Sequence, residues 1–434
     1  MKSCSLMRLS LLMLLCCWPL VNAICSLFNV QCFMFNVQSV QAQRHEVFSP
    51  DIASLQVVAG TRWMDLPVIQ LGGSEVINID FDDLTHEYRR YTYKVEHCEA
   101  DWTPTEGLFS SEYVSGFAEG NTIDDIEESL NTNVLYTHYR LQIPNRQCRL
   151  KMSGNYRLTV YDENNDAEPV LAACFMVSED AMNVGLKVTT NTDIDVNHRH
   201  QQIDLQLNMA NVIVNNPRDQ IKTVVMQNGR WDNAKTNVPY AMVNGKILIW
   251  THCRDLIFTA GNEYRKFEVL DVDRPSMGID RLRWDGEYVN AYLFVDEPRR
   301  NYVYDEDQDG AFVMRNDNDD EDDATTSEYL WVHFTLQTGQ PIGGGDIYLY
   351  GQWCNGPLDP QCRMQWNEET HQYEAAVYLK QGYYNYQYIQ ENGPSPDGNF
   401  FQTEYEYIIL VYHRPQGGRY DKLVGYQRVT TRPA

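Results

Sequence analysis

Apolar and polar residues alternate with a period of two along most of the chain. Between Val76 and Leu84, the residues Ile77, Ile79 and Phe81 fall on one side; Tyr91, Tyr93 and Val95 do the same, as do Tyr156, Leu158 and Val160. Successive side chains of a strand point to opposite faces of a sheet, so each run reads as a half-buried β-strand. Pro67, Gly72-Gly73, Pro144 and Gly154 punctuate these runs and keep the predicted strands short. A small turn residue followed by Tyr-x-Leu-x-Val, as in Gly154 to Val160, is a common strand entry in immunoglobulin-like sandwiches. Residues 43–180 are therefore expected to form an N-terminal β-sandwich.

The same alternation continues over residues 183–300, where Ile203, Leu205 and Leu207 alternate with Asp204 and Gln206, and a denser apolar run covers Ile221 to Met226. Asn228-Gly229, two residues that tolerate positive φ, predicts a tight turn. Further strands are expected at Lys246 to Trp250 and Tyr264 to Leu270, which makes a second sandwich. Over 328–430, Leu330, Val332, Phe334 and Leu336 alternate with Trp331, His333 and Thr335, and Tyr373, Ala375, Val377 and Leu379 form another stripe. A third, early-set-like sandwich is expected there. The fold class is thus all-β, three consecutive immunoglobulin-like or early-set sandwiches.

Residues 303–327 break the pattern. Ten acidic residues lie between Asp305 and Asp323, and apolar residues are few outside Ala311 to Met314. Asp309-Gly310 predicts a hairpin turn, and Asn316 to Asp323 a solvated acidic linker. Asp305-Glu306-Asp307-Gln308-Asp309-Gly310 fits the first half of a calcium loop, but the twelfth position is Asn316 instead of the bidentate Glu that such a loop needs.

The N-terminus reads as an export signal. Lys2 and Arg8 are the only charges in the first 42 residues, and Leu9 to Leu20 is uncharged. Small-residue cleavage sites follow Ala23 and Ala42; the second is preferred, which makes 1–42 the signal peptide (or 1–23). No later run has the ~20 apolar residues needed to span a bilayer as a helix. Without the signal, 33 cationic residues face 60 acidic ones, a charge of −27. Such a chain repels nucleic acid and anionic lipid and suits a partner with a basic face.

Export also bears on the cysteines. Of 11, six follow Ala42: Cys98, Cys148, Cys174, Cys253, Cys354 and Cys362. There is no C-x-x-C spacing of the zinc type, and no metal or cofactor site is expected. Cys354 and Cys362 flank a Pro- and Gly-bearing loop and are the disulfide candidates in an oxidising compartment; the pairing of the other four is open. His97-Cys98 and His252-Cys253 are adjacent in sequence, so on a strand each pair points to opposite faces and neither forms its own dyad. No nucleophile elbow, phosphate loop or dinucleotide glycine pattern is present. No catalytic residues are expected and the chain is not read as an enzyme.

The third segment offers one binding motif. Gly351-Gln352-Trp353, with Trp366 and the run Tyr383-Tyr384-Asn385-Tyr386-Gln387-Tyr388, resembles the early-set sandwich of glycogen- and starch-binding modules, in which aromatic rings stack on sugar. The competing reading, that these aromatics are core and rim of a sandwich, is favoured.

Several ordered stretches carry a wider resemblance. Ser54-Leu55-Gln56-Val57, Ile79 to Leu84, His97-Cys98-Glu99-Ala100-Asp101-Trp102, Thr137 to Arg140, Ser153-Gly154-Asn155-Tyr156, Gln227 to Ala234, Gly261 to Arg265, Leu379 to Tyr388 and Arg419-Tyr420-Asp421 together resemble the type IX secretion system plug protein family of Bacteroidetes. The chain departs from that family mainly at Cys354 and Cys362. The resemblance implies a non-enzymatic periplasmic protein, at the inner face of the outer membrane, that closes the periplasmic mouth of a giant outer-membrane β-barrel translocon. That barrel subunit is the expected partner. From the landmarks, His97, Asp101, Trp102, Arg230, Trp231, Tyr383, Tyr384, Tyr386 and Arg419 are the candidate partner-binding residues, with Trp102 and Trp231 better suited to anchoring a core. The alternative is a periplasmic or surface glycan-binding protein acting through the C-terminal segment.

Overall fold

In a computed structural model, residues 45–164, 168–317 and 322–431 are described; both expected cleavage sites, after Ala23 and after Ala42, lie outside them. The strands assemble as paired sheets around three apolar cores, and the architecture is all-β. Among the described residues no helix is long and apolar enough to cross a membrane.

In the first sandwich, a four-stranded sheet orders Ile52–Ala59, Ile77–Asp83, Thr137–Ile143 and Asp125–Glu128. It faces a sheet built on Pro169–Ser178, Gly154–Asp162 and Tyr91–Cys98. The alternating residues meet between them: Ile77, Ile79, Phe81, Tyr91, Tyr93, Val95, Tyr156, Leu158 and Val160 all belong to one buried cluster. Burial of such side chains contributes about 1.5–3 kcal/mol each and is the main stabilising term.

Strand pairing crosses the expected boundaries in two places. The second sandwich pairs Asn183–Thr189, His200–Asn208 and Ile247–Trp250 in one sheet, but its other sheet runs Lys235–Thr236, Ile221–Gln227, Glu406–His413 and Lys422–Thr430. Its final two strands thus come from the end of the chain. Conversely, Arg265–Val269 pairs with Gly382–Gln390, and Val289–Leu293 pairs in parallel with Tyr329–Gln337. Residues from about 265 to 400 form the third sandwich, inserted into the second. Local alternation cannot reveal this, because the apolar stripe of Ile409 and Val411 fits any half-buried sheet; only Val225 on the neighbouring strand and Leu205 and Leu207 across the core fix its place.

The acidic segment is also partly structured. Asp309 and Gly310 both take positive φ, as a turn requires, but the chain before them is not a strand. There the Asp307 carboxylate accepts the backbone N–H groups of Tyr264 and Asp309. The strand that follows, Phe312–Met314, pairs with Gly382–Tyr384 and so joins the third sandwich. Asp322 caps a short helix, Asp323–Thr326, by accepting from the Ala324 N–H. Thr325 and Thr326 of this helix, and Ser327 and Glu328 beyond it, are buried.

Candidate functional site

Most of the residues singled out from sequence lie where one sandwich meets another. Between the first and second, Trp102 is held at φ +66° in a turn closed by Trp102 N–H donating to Glu99 O and Glu99 N–H donating to Thr103 O, both at 2.9 Å. The turn drives the indole into a cluster with Met176 of the first sandwich and Met226, Ile408, Leu410 and Tyr412 of the second. Trp102 meets Trp231 edge to face, ring centroids 5.5 Å apart. Trp102 is 1% exposed, and truncating such a side chain costs about 3–5 kcal/mol.

Polar groups frame that apolar patch. Asp421 accepts from the Ala100 N–H at 3.1 Å, from Lys222 at 2.8 Å and from Arg414 at 2.9 Å. Arg414 also reaches Glu99 at 2.5 Å across the seam. Burial alone would raise the Asp421 carboxyl, but the Lys222 hydrogen bond, the Ala100 N–H and Arg414 outweigh it and keep it below its ordinary range. Asn155 joins both sides: its amide donates to Glu99 O at 2.8 Å and its carbonyl accepts from Tyr412 Oη at 2.8 Å.

His97 sits beneath this seam. Its Nε2 lies 3.0 Å from Ser153 O, an acceptor only, so Nε2 carries the proton and Nδ1 accepts from Thr105 Oγ1 at 2.8 Å. Burial pushes its pKa down, and a buried neutral ring is a packing element. Gly154, at φ +135°, is required beside it, since a Cβ there would stand 2.5 Å from His97 Nε2. Arg419 crosses the same seam near the surface, donating to Gly107 O and pairing with Glu112. Asp101 only caps Thr103 and stays exposed.

A second seam joins the first and third sandwiches around an ion pair. Lys380 Nζ donates to Asp82 Oδ2 at 2.6 Å and to Ala324 O at 2.5 Å, and lies 4.0 Å from the centroid of the Tyr136 ring. Tyr329 Oη donates to the same Asp82 oxygen at 2.6 Å, and His138 Nδ1 lies 2.6 Å from Oδ1. Burial would raise the Asp82 carboxyl, but Lys380 and His138 hold it below its ordinary value. Nearby, Glu328 accepts the N–H groups of Asn133 and Val134. Sequence reasoning did not pick out Asp82, His138 or Lys380 individually. The available signal was a lysine at an outward position of an alternating strand, inside a landmark stretch.

At the third junction, Arg230 forms a double contact with Asp232, at 3.1 and 2.6 Å, and lies 4.5 Å above the Tyr350 ring. It lines a cleft of about 360 Å³ where all three sandwiches meet, with Leu55, Trp231 and Glu406.

The remaining candidates stand on one strand of the third sandwich, Gly382–Gln390. Tyr384 stacks on Phe267 at 5.1 Å and donates to Lys380 O. Tyr386 and Tyr388 both donate to Asp296 Oδ2, at 2.8 and 2.7 Å. Tyr383 accepts from Asn385 and meets Trp63 of the first sandwich edge to face. Trp353 packs in the same core, its indole N–H on Asn385 O, and Trp366 lies half-buried against Tyr373. The rings that would have stacked on sugar are therefore committed to packing. Cys354 and Cys362 are free thiols with sulfurs 3.3 Å apart.

Comparison with known proteins adds to this geometry. A family model described as the type 9 secretion system plug protein 1st domain matches residues 52–179, the span of the first sandwich. The crystal structure of a hypothetical protein from Parabacteroides merdae ATCC 43184 is similar at 41% identity and a TM-score of 0.85, over 89% of this chain and 99% of that one. The structure of a collagen adhesin from S. aureus aligns over 87% of this chain and 91% of its own at 8% identity, and its TM-score of 0.11 carries no argument. No curated protein matches the chain.

Proposed function

We propose, from the premise that this chain belongs to the type IX secretion system plug protein family, that it works by obstruction: it docks in the periplasm on the giant outer-membrane β-barrel translocon and closes the periplasmic mouth. The observation that carries this reading is the interlocked body itself. A stopper for a wide pore needs bulk that does not come apart, and no reacting group. Here one sandwich is inserted into another, and the seam between the first and third sandwiches holds a buried ion pair, Lys380 with Asp82. The role is structural, and Trp102, Trp231 and Arg419 serve it by fixing the first sandwich to the second.

The surface supplies the attraction. With a charge of −27 after signal removal, the protein is steered toward a basic vestibule, and its affinity falls as salt rises because exposed charges more than ~8 Å apart are screened at physiological ionic strength. Purification of the tagged protein from native membranes tests the reading. Recovery of a very large barrel subunit, with salt-sensitive yield, and leakage of large solutes in the deletion strain are the expected results. Recovery of no barrel together with normal exclusion of large antibiotics overturns it.

A further inference from the structure

The strand Glu46–Val47 lies at the edge of the larger sheet of the first sandwich, where it pairs with Pro169–Ser178. In an antiparallel ladder the N–H and C=O of one residue point to the same neighbour, and those of the next residue point the other way. The Phe48 N–H donates inward, to Val170 O at 2.9 Å, so the polar backbone groups of Val47 face outward. An open edge of this kind is a template for unwanted pairing. Here a side chain of the third sandwich closes it. Asn355 Oδ1 accepts from the Val47 N–H at 3.1 Å, and Asn355 Nδ2 donates to Val47 O at 3.0 Å. One carboxamide thus stands in for the peptide group of a neighbouring strand.

Asn355 belongs to a loop, residues 354–362, that crosses from Ile347–Tyr350 in one sheet of the third sandwich to Gln365–Asn367 in the other. Asp359 ties the loop from inside, accepting the Asn355 N–H at 2.8 Å and the Gln361 N–H at 3.0 Å. Cys354 and Cys362 stand at its two ends, with their sulfurs 3.3 Å apart. Cys354, the immediate neighbour of Asn355, is half-buried, and Cys362 is buried. Both line a cleft of about 330 Å³ together with His45, Val47 and Asn355. The thiol pair and the clasp on Val47 therefore border one space.

We infer that Cys354 and Cys362 form a redox-sensitive latch on the strand Glu46–Val47, locked when the pair is oxidised and loosened when it is reduced, with Asn355 as the clasp. The step is exchange with a small-molecule disulfide such as oxidised glutathione. The Cys354 thiolate attacks one sulfur of the reagent and expels the first glutathione thiolate; the Cys362 thiolate then attacks the Cys354 sulfur of the mixed disulfide and expels the second. Two protein thiols are oxidised to one S–S bond, the reagent disulfide is reduced to two thiols, and the two protons pass to the departing thiolates. The sulfurs, already in contact, need to close by only ~1.3 Å to reach bonding distance. In the reduced loop, opening breaks only the hydrogen bonds of Asp359 and Asn355. A bond between the loop ends removes most of those open conformations, and Asn355, one residue from the bonded sulfur, loses the freedom to swing off Val47. The latch joins the third sandwich to the first whatever the protein docks on, so it goes beyond the plug reading and does not depend on it.

Full-length exported protein, equilibrated either with oxidised glutathione or with dithiothreitol, tests the latch by hydrogen exchange read amide by amide with NMR. The Val47 amide should exchange about ten-fold more slowly in the oxidised protein, because the closed loop opens less often. The amides of Asp125–Glu128, the edge strand of the other sheet of the first sandwich, should exchange alike in both. In Asn355→Ala the Val47 amide should exchange fast in either redox state. In the double variant Cys354→Ser with Cys362→Ser it should keep the reduced rate under both reagents. Equal Val47 exchange in the two states, a redox dependence that survives Asn355→Ala, or two free thiols after treatment with oxidised glutathione overturns the inference. A change over Asp125–Glu128 as large as that at Val47 overturns it as well, since a bond that merely stabilises the whole molecule protects both edges.

Discussion

Lys380 and Asp82 meet across the seam between the third and first sandwiches, Nζ 2.6 Å from Oδ2, with each side chain 1% exposed. Neither sandwich could carry its half of this pair in a stable isolated form, because an unpaired charge at that depth loses its hydration without compensation.

Removing one partner should therefore cost far more than removing both. Lys380→Met is expected to lose about 3–5 kcal/mol in urea unfolding, since it strands the Asp82 carboxylate. The double variant Lys380→Met with Asp82→Leu should regain much of that loss, giving a large coupling in the double-mutant cycle. A single-variant loss within about 0.5 kcal/mol of zero, the range of an ordinary surface change, would mean that the seam is wetter than the structure indicates.

Stability should fall as pH rises through the neutral range. Burial pushes Glu263 and Glu406 up to about 7, and an unfolded Glu titrates near ~4.3. The folded form thus holds protons that the unfolded form has released. The contribution is full below ~4.3 and disappears between there and about 7. Asp82 and Asp421 act in the opposite sense, their lowered folded pKa values adding stability above the unfolded value near ~3.9 that is lost on stronger acidification. A higher urea midpoint at pH 5 than at pH 7.5 is expected, and Glu263→Gln should flatten the difference. A midpoint that climbs between those two pH values contradicts the assignment.

Cys354 and Cys362 should be oxidised in exported protein. Their sulfurs lie 3.3 Å apart, and closing so short a loop contributes about 2–3 kcal/mol if the bond is unstrained. Unreduced protein from the native host should show neither thiol to a labelling reagent, and reduction should lower the unfolding midpoint. Full labelling of both cysteines under native, unreduced conditions rules the bond out.

A cut in the acidic segment should not release a domain. With a specific protease site placed between residues 318 and 321, cleavage leaves one fragment holding Ile221–Gln227 and the other holding Glu406–His413, and these pair in one sheet. The two fragments should co-elute on gel filtration and separate only in denaturant. Free migration of the C-terminal piece would be inconsistent with the shared sheet.

Strand content was legible because alternation is a local property: Leu330, Val332, Phe334 and Leu336 lie buried on one side while Trp331 and His333 point outward. Trp102 and Trp231 stand in the anchoring positions that their size suggests. What alternation cannot carry is which strand pairs with which. Ile221–Gln227 and Glu406–His413 are far apart in sequence, and no residue between them announces the return. The seams were hidden for a related reason. Lys380 occupies an outward position, and an outward lysine ordinarily faces water; only the arrival of Tyr136 and Asp82 from another sandwich makes it a buried cation.

The two chain crossings that join the inserted sandwich to its host run side by side. Gly261 O accepts from the Phe400 N–H at 2.8 Å and from Thr403 Oγ1 at 3.0 Å, and Tyr405 Oη donates to Asn262 O at 2.7 Å. A body hung from a single cord swivels freely, whereas one hung from two cords laced together must shear the lacing before it can turn. Torque applied to the inserted sandwich is therefore transmitted to the second, and the pair rotates as one piece.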